Sequence, residues 1–168
     1  STWAENIVEQ AEKDGLRLSY HTPYRLNIHR DEFCKLAWQT IQTVNPNINL
    51  PELAQPFSDC DEDIVRQIAA LGIVTGYEDG TFQPTRELSR QEAAVILQRL
   101  YTVLYGKIEA SPTLYADNGS IGVWAKNSVY AMRQTGIMQG VGTNRFDPKN
   151  GYTCEQALVT MLRMTQKA

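Results

Sequence analysis

Residues Gly72–Pro84 read GIVTGYEDGTFQP, and sixty-four residues later Gly136–Pro148 read GIMQGVGTNRFDP. The Gly-Ile pair, a second glycine (Gly76, Gly140), a phenylalanine (Phe82, Phe146) and a proline (Pro84, Pro148) recur at one offset. A loop written twice in register marks a repeat architecture, which has to be settled before any site is read.

Outward from the loop the repeat continues. Trp124 precedes Gly136 by twelve residues, and Trp3 precedes Gly15 by the same distance, so a third copy opens the chain. In the middle copy that offset lands on Cys60. After each loop comes a second segment: IHRDEFCKLAWQTI from Ile28, LSRQEAAVILQRLY from Leu88 and YTCEQALVTMLRMT from Tyr152. These predict helices. Ala157, Leu158, Met161 and Leu162 fall on one apolar stripe, as do Phe33, Leu36, Ala37, Trp38 and Ile41. Ser89 with Glu92, and Thr153 with Gln156, have capping-box spacing, whereas His29 at the matching position is a poorer acceptor. Gly15, Gly72 and Gly136 are expected to end the preceding helices as left-handed caps. The sequence is therefore read as all-α, three helix-loop-helix repeats at about residues 1–45, 56–106 and 114–168. A lone helix-loop-helix cannot bury its apolar face; three can close around a shared core.

Composition narrows the function. The 168 residues are 42% hydrophobic and 21% charged, ordinary for a soluble globular protein. The net charge of −3 argues against nucleic acid as a partner but leaves room for a local basic site. No apolar run reaches the roughly 18 residues of a membrane span, so no membrane insertion is expected. No signal peptide opens the chain, which is read as a fragment or mature segment. Cys34, Cys60 and Cys154 form no CxxC pair and predict neither a disulfide framework nor a zinc site.

The order F-x-D, W-A, G-I-x-x-G-x-x-x-x-x-F-x-P, [ST]-R-x-E-x-A resembles the S-layer homology family. The middle unit, from Phe57, lacks only the Trp, and the last carries Cys154 where the family has a basic residue. The first unit is degenerate and has no G-x-F-x-P loop. The resemblance implies a pseudo-threefold assembly around a central helical bundle, with grooves between the repeats. It also implies an extracellular, cell-wall-associated, non-catalytic module without a cofactor. Such a module would bind secondary cell-wall polysaccharide, often through a pyruvyl ketal carboxylate. The alternative is a protein–protein interaction or scaffold module. A basic, ring-lined groove favours carbohydrate; a broad apolar groove favours protein.

Arg30 and Arg90 are expected at the first position of a helix, the electrostatically wrong end for a cation. A shared anion would explain both; so would an Asp or Glu partner in a neighbouring repeat. Trp3 and Trp124 fit either a sugar platform or the core. Gly76 and Gly140 are backbone requirements first, and in the resembled family such glycines also border the ligand. The run DCDED (Asp59–Asp63) lacks the glycine and the final glutamate of a calcium loop, and Asp59 is expected to cap the following helix. His21 and His29 lack metal-pair spacing, Cys34 is expected to be a buried thiol, and no catalytic constellation is present. With Cys154 in the third position, at most two anion sites are expected. Lys126 and Arg145 are the cations that would have to compensate there.

Overall fold

The computed structural model describes residues 1–19 and 23–167. His21 lies outside the described residues. Among the described residues six α-helices form: α1 (Glu5–Lys13), α2 (Arg30–Val44), α3 (Asp63–Ala70), α4 (Arg90–Tyr105), α5 (Val123–Gln134) and α6 (Cys154–Thr165). A short 3-10 turn, Asn118–Ser120, precedes α5. Among the described residues there are isolated bridges but no strand, so the fold is all-α.

Local chemistry sets the helix ends. Both capping boxes form, on Ser89 and Thr153, while His29 provides no side-chain cap. Gly15, Gly72 and Gly136 follow α1, α3 and α5 with φ of 90°, 76° and 74°, a conformation that costs glycine little. The next residue of each turn, Leu16, Ile73 or Ile137, donates back into its helix and is fully buried.

The helices then pair across segments. The larger packing contacts join α1 to α6, α3 to α2 and α5 to α4, and α2 meets both α4 and α6. Among the described residues none of these contacts joins the two helices of one segment. Each short helix therefore leaves its own segment to cover the long helix of another. Phe33, Leu36, Leu97, Leu158 and Met161 are fully buried on the long helices, and the Phe33 and Tyr152 rings sit 6.2 Å apart across α2 and the start of α6.

Backbone bonds repeat that cyclic order. Ile28 N–H donates to Tyr152 O (2.8 Å), Tyr152 N–H to Leu88 O (2.9 Å), and Leu88 N–H to Ile28 O (3.3 Å), closing a ring of three. Two residues further, the first helical amides donate round the ring in the opposite sense: Arg30 to Arg86 O (3.0 Å), Arg90 to Asn150 O (2.9 Å) and Cys154 to Leu26 O (2.8 Å). These bonds occupy helix N-terminal amides that have no partner within their own helix.

Candidate functional site

The two G-x-F-x-P loops are held from a distance by aspartates. Asp59 accepts the amides of Phe82 (2.7 Å) and Gln83 (2.9 Å); Asp117 accepts those of Phe146 (2.9 Å) and Asp147 (2.8 Å). Asp59 thus does not cap α3, whose N-cap is Glu62 with no side-chain bond. The expected cap is corrected to a loop clasp. Gln83 and Asp147 need it, because they hold φ of 55° and 59°, uncommon for non-glycine residues. The amides hold Asp59 below the usual carboxylate range. Asp117 is lowered too, although its burial acts the other way.

The second glycine of each loop is where the chain passes its clasp. A Cβ on Gly76 would stand 2.6 Å from the Phe57 ring, and one on Gly140 would stand 2.5 Å from Arg145 O. The aromatic residue two positions before each aspartate packs on the loop phenylalanine: Phe57 on Phe82 at 5.2 Å, Tyr115 on Phe146 at 5.6 Å.

Arg30 and Arg90 begin α2 and α4, as their spacing predicts, and each reaches across to the loop of the following segment. Arg30 Nε donates to Phe82 O (2.9 Å) and Nη2 to Thr75 O (2.7 Å). Arg90 Nε donates to Phe146 O (2.9 Å) and Nη2 to Gln139 O (2.8 Å). Their guanidiniums also stack on Phe82 and Phe146, at 4.4 and 4.9 Å from the ring centres. Among the described residues neither is in an ion pair within 4 Å. The alternative reading, an Asp or Glu partner in a neighbouring repeat, is not what these arginines have: two carbonyls take that place, and they accept hydrogen bonds without carrying a charge. Arg90 is 4% exposed, and burial pulls both arginines below the ordinary guanidinium range.

Arg90, Trp3 and Gly140 come from three different segments and line one groove of about 380 Å³. Gln156 and Arg163 of α6 and Val141 of the loop complete its polar and apolar walls. No carboxylate lines it among the described residues. Trp3 is 55% exposed and Trp124 60%, so neither is core. Arg30 lies against the Gly76 loop, with Tyr77 5.0 Å from its guanidinium and Glu92 acting on its charge. Trp124 stands at the start of α5, the helix packed on α4.

The third position differs. Cys154 is buried at the start of α6, its thiol pushed up to about 11 by burial and by Glu32. Glu32 is itself 5% exposed and accepts the Ser19 amide at 3.0 Å, with Lys35 Nζ 3.5 Å away. Arg145 does not fill this gap: its Nε lies 3.9 Å from Asp117 in its own loop. Cys34 is fully buried, as expected, and its thiol is pushed well above its usual range by burial. Sequence reasoning missed Gln156 and Arg163 as groove residues and Glu32 as the carboxylate beside Cys154, although the repeat spacing that aligns Glu32, Glu92 and Gln156 was available to find two of the three.

Six helices interleaved across segments, with a buried cation opening into a ring-walled groove, define a helical-repeat binding module. Residues 58–94 and 119–153 match the family model described as the S-layer homology domain, so the chain carries two S-layer homology segments. It is 32% identical over 100 residues to an S-layer protein of Bacillus thuringiensis subsp. finitimus, covering 60% of this chain and 12% of the relative. It is 25% identical over 178 residues to an amylopullulanase of Thermoanaerobacterium thermosulfurigenes, covering 99% of this chain and 9% of that enzyme. Cell surface glycoprotein 1 of Acetivibrio thermocellus is 26% identical over 129 residues, covering 68% of this chain and 5% of the glycoprotein. The chain thus spans about a tenth of the length of these relatives or less, and is a module of the kind that S-layer and cell-surface proteins carry. Among the described residues no helix is long and apolar enough to cross a membrane.

Proposed function

We propose that the chain is a non-catalytic anchor that holds its parent protein to the cell wall by binding an acidic secondary cell-wall polysaccharide. Residues 1–45 are, in this reading, a degenerate third repeat beside 56–106 and 114–168, and the three pack about an approximate threefold axis. The ring of backbone bonds through Ile28, Leu88 and Tyr152 supports that arrangement. The observation that carries the binding function is Arg90: a buried guanidinium with no ion-pair partner within 4 Å among the described residues, in a groove walled by an exposed tryptophan and free of carboxylates. An anion completes such a site, and an indole face receives a sugar ring. The groove has the basic floor and ring wall that favour carbohydrate over a protein partner. A carboxylate on the sugar, such as a pyruvyl ketal, supplies the charge.

A pull-down on purified cell-wall sacculi, before and after the attached polysaccharide is stripped, tests the reading. Binding is expected before stripping and lost after it, and equal binding to both preparations would overturn it. A charge-assisted hydrogen bond is worth about 1.5–3 kcal/mol, so Arg90→Met should weaken capture of a pyruvylated disaccharide about 10- to 150-fold. Trp3→Ala should weaken it less while leaving the fold intact, because the side chain is exposed.

A further inference from the structure

A second concavity, of about 500 Å³, lies on the other side of the loop that floors the Arg90 groove, and the two share Gln139 and Gly140. It is lined by Tyr115, Arg133, Asn144 and Arg145 as well. Tyr115 is 4% exposed, and its hydroxyl has no hydrogen-bond partner. Arg133 lies 4.8 Å over its ring. Arg145 is 3.9 Å from Asp117, but both oxygens of that carboxylate already accept loop amides.

The middle segment shows what the scaffold needs at these places. There the loop register puts Ala69 and Thr81 where the last segment has Arg133 and Arg145, and the position two before the clasping aspartate holds Phe57 where the last segment has Tyr115. Phe57 packs on its loop ring as Tyr115 does, so the fold does not require the hydroxyl. A buried donor left unsatisfied costs stability, and natural structures keep few of them without a reason. Three side chains that the sister segment lacks therefore line one concavity.

We propose that this concavity binds an oxyanion, a carboxylate or phosphate carried on a polar polymer, with the Tyr115 hydroxyl as hydrogen-bond donor and Arg133 and Arg145 as charge partners. The site stands on its own residues and does not require the Arg90 groove to be filled. Where both are filled, one chain crossing Gln139–Gly140 contacts both.

The test is a titration of the whole chain with inorganic phosphate and separately with glucuronate, following the arginine Nε–H resonances by NMR. Saturable shifts are expected at Arg133 and Arg145. Saturation by phosphate alone assigns a phosphate ligand, by glucuronate alone a carboxylate, and by both a general oxyanion site. Tyr115→Phe should weaken binding about 2- to 12-fold, the worth of one net hydrogen bond, and Arg133→Gln about 10-fold or more. Tyr115→Phe should also melt no lower than the parent, since the sister loop carries Phe; lost affinity without lost stability separates ligand binding from folding. Failure of both anions to saturate, or parent-like titration by both variants, overturns the proposal. The Arg90 resonance reports the groove in the same spectra, so its silence leaves this test intact.

Discussion

The Arg90 and Arg30 surroundings start from the same plan and end with different linings. Each arginine opens a long helix, donates to two carbonyls of a neighbouring loop and stacks on that loop's phenylalanine. Around Arg90 the capping-box partner is Gln156, the loop offers Val141, and Arg163 adds a second cation. Around Arg30 the corresponding capping residue is Glu92, whose carboxylate lies 3.5 Å from Arg86. Tyr77, in the place of Val141, lies near both Arg30 and Arg86, 5.0 and 5.1 Å from its ring centre. Arg90 borders a groove free of carboxylates, with Asp147 and Asp117 acting on its charge from beyond 4 Å; Arg30 has Glu92 acting on it, a second cation in Arg86 and the Tyr77 ring beside it. A shared scaffold thus does not make equal sites. The third position goes furthest, with Cys154 in place of arginine and Glu32 supplying a carboxylate of the chain's own.

The largest effect should come from exchanging that one difference. Gln156→Glu places a carboxylate beside Arg90, and glycan affinity should fall by about one order of magnitude or more, the worth of a charge-assisted bond. Glu92→Gln should raise binding at Arg30 by a smaller factor, because Tyr77 still covers it. Calorimetry that finds no change in either variant breaks the electrostatic comparison.

A gain at the third position should be smaller. Cys154→Arg alone should stay silent, since the new guanidinium meets Glu32 before any ligand. Cys154→Arg with Glu32→Gln should show weak binding, readable by the same titration in a background lacking Arg90. Binding by the single variant would show that the thiol alone silences this position.

The smallest effect separates the loops by acid. The folded-state pKa values of Asp59 and Asp117 are lowered, so both contribute stability that is present above the unfolded carboxylate value, near 4, and lost as pH falls through the folded value. Thermal melts should therefore drop below about pH 4. Asp59→Asn and Asp117→Asn should each flatten part of that slope while lowering stability at neutral pH. Unchanged acid slopes in both variants would remove the clasp from the account of these loops.

Most of the local structure was legible in the residues. Ser89 with Glu92, Thr153 with Gln156, and the glycines at 15, 72 and 136 carry their own short-range reasons for helix ends, and each does what its chemistry predicts. The placement of Arg90 at a helix start followed from the Ser89 cap, and that of Arg30 from its register with Arg90. What the sequence did not state was pairing. The stripe on α1 asks for an apolar partner but cannot say that the partner is α6 rather than α2. Asp59 shows why: three residues before the α3 N-cap Glu62 it reads as a cap, yet its carboxylate closes on amides more than twenty residues away. The exposure of Trp3 and Trp124 was hidden for the same reason, because an indole near a helix start suits the core as well as a groove. Tyr115 was unreadable for another. Its ring obeys the repeat, and only the empty surroundings of its hydroxyl set it apart.

The pairing of α1 with α6 fixes an order of events. Each short helix waits for a long helix made elsewhere in the chain, and the ring of Ile28, Leu88 and Tyr152 closes only when α6 has been made. As the chain leaves the ribosome, Val8 and Ala11 on α1 therefore face water for the time taken to synthesise about 140 further residues, some 7–30 s at typical rates. The closing contact is also the one with the longest intervening chain, so its loop entropy is the largest of the three. A chain cut before α6 lacks the partner of α1 and leaves Val8 and Ala11 uncovered.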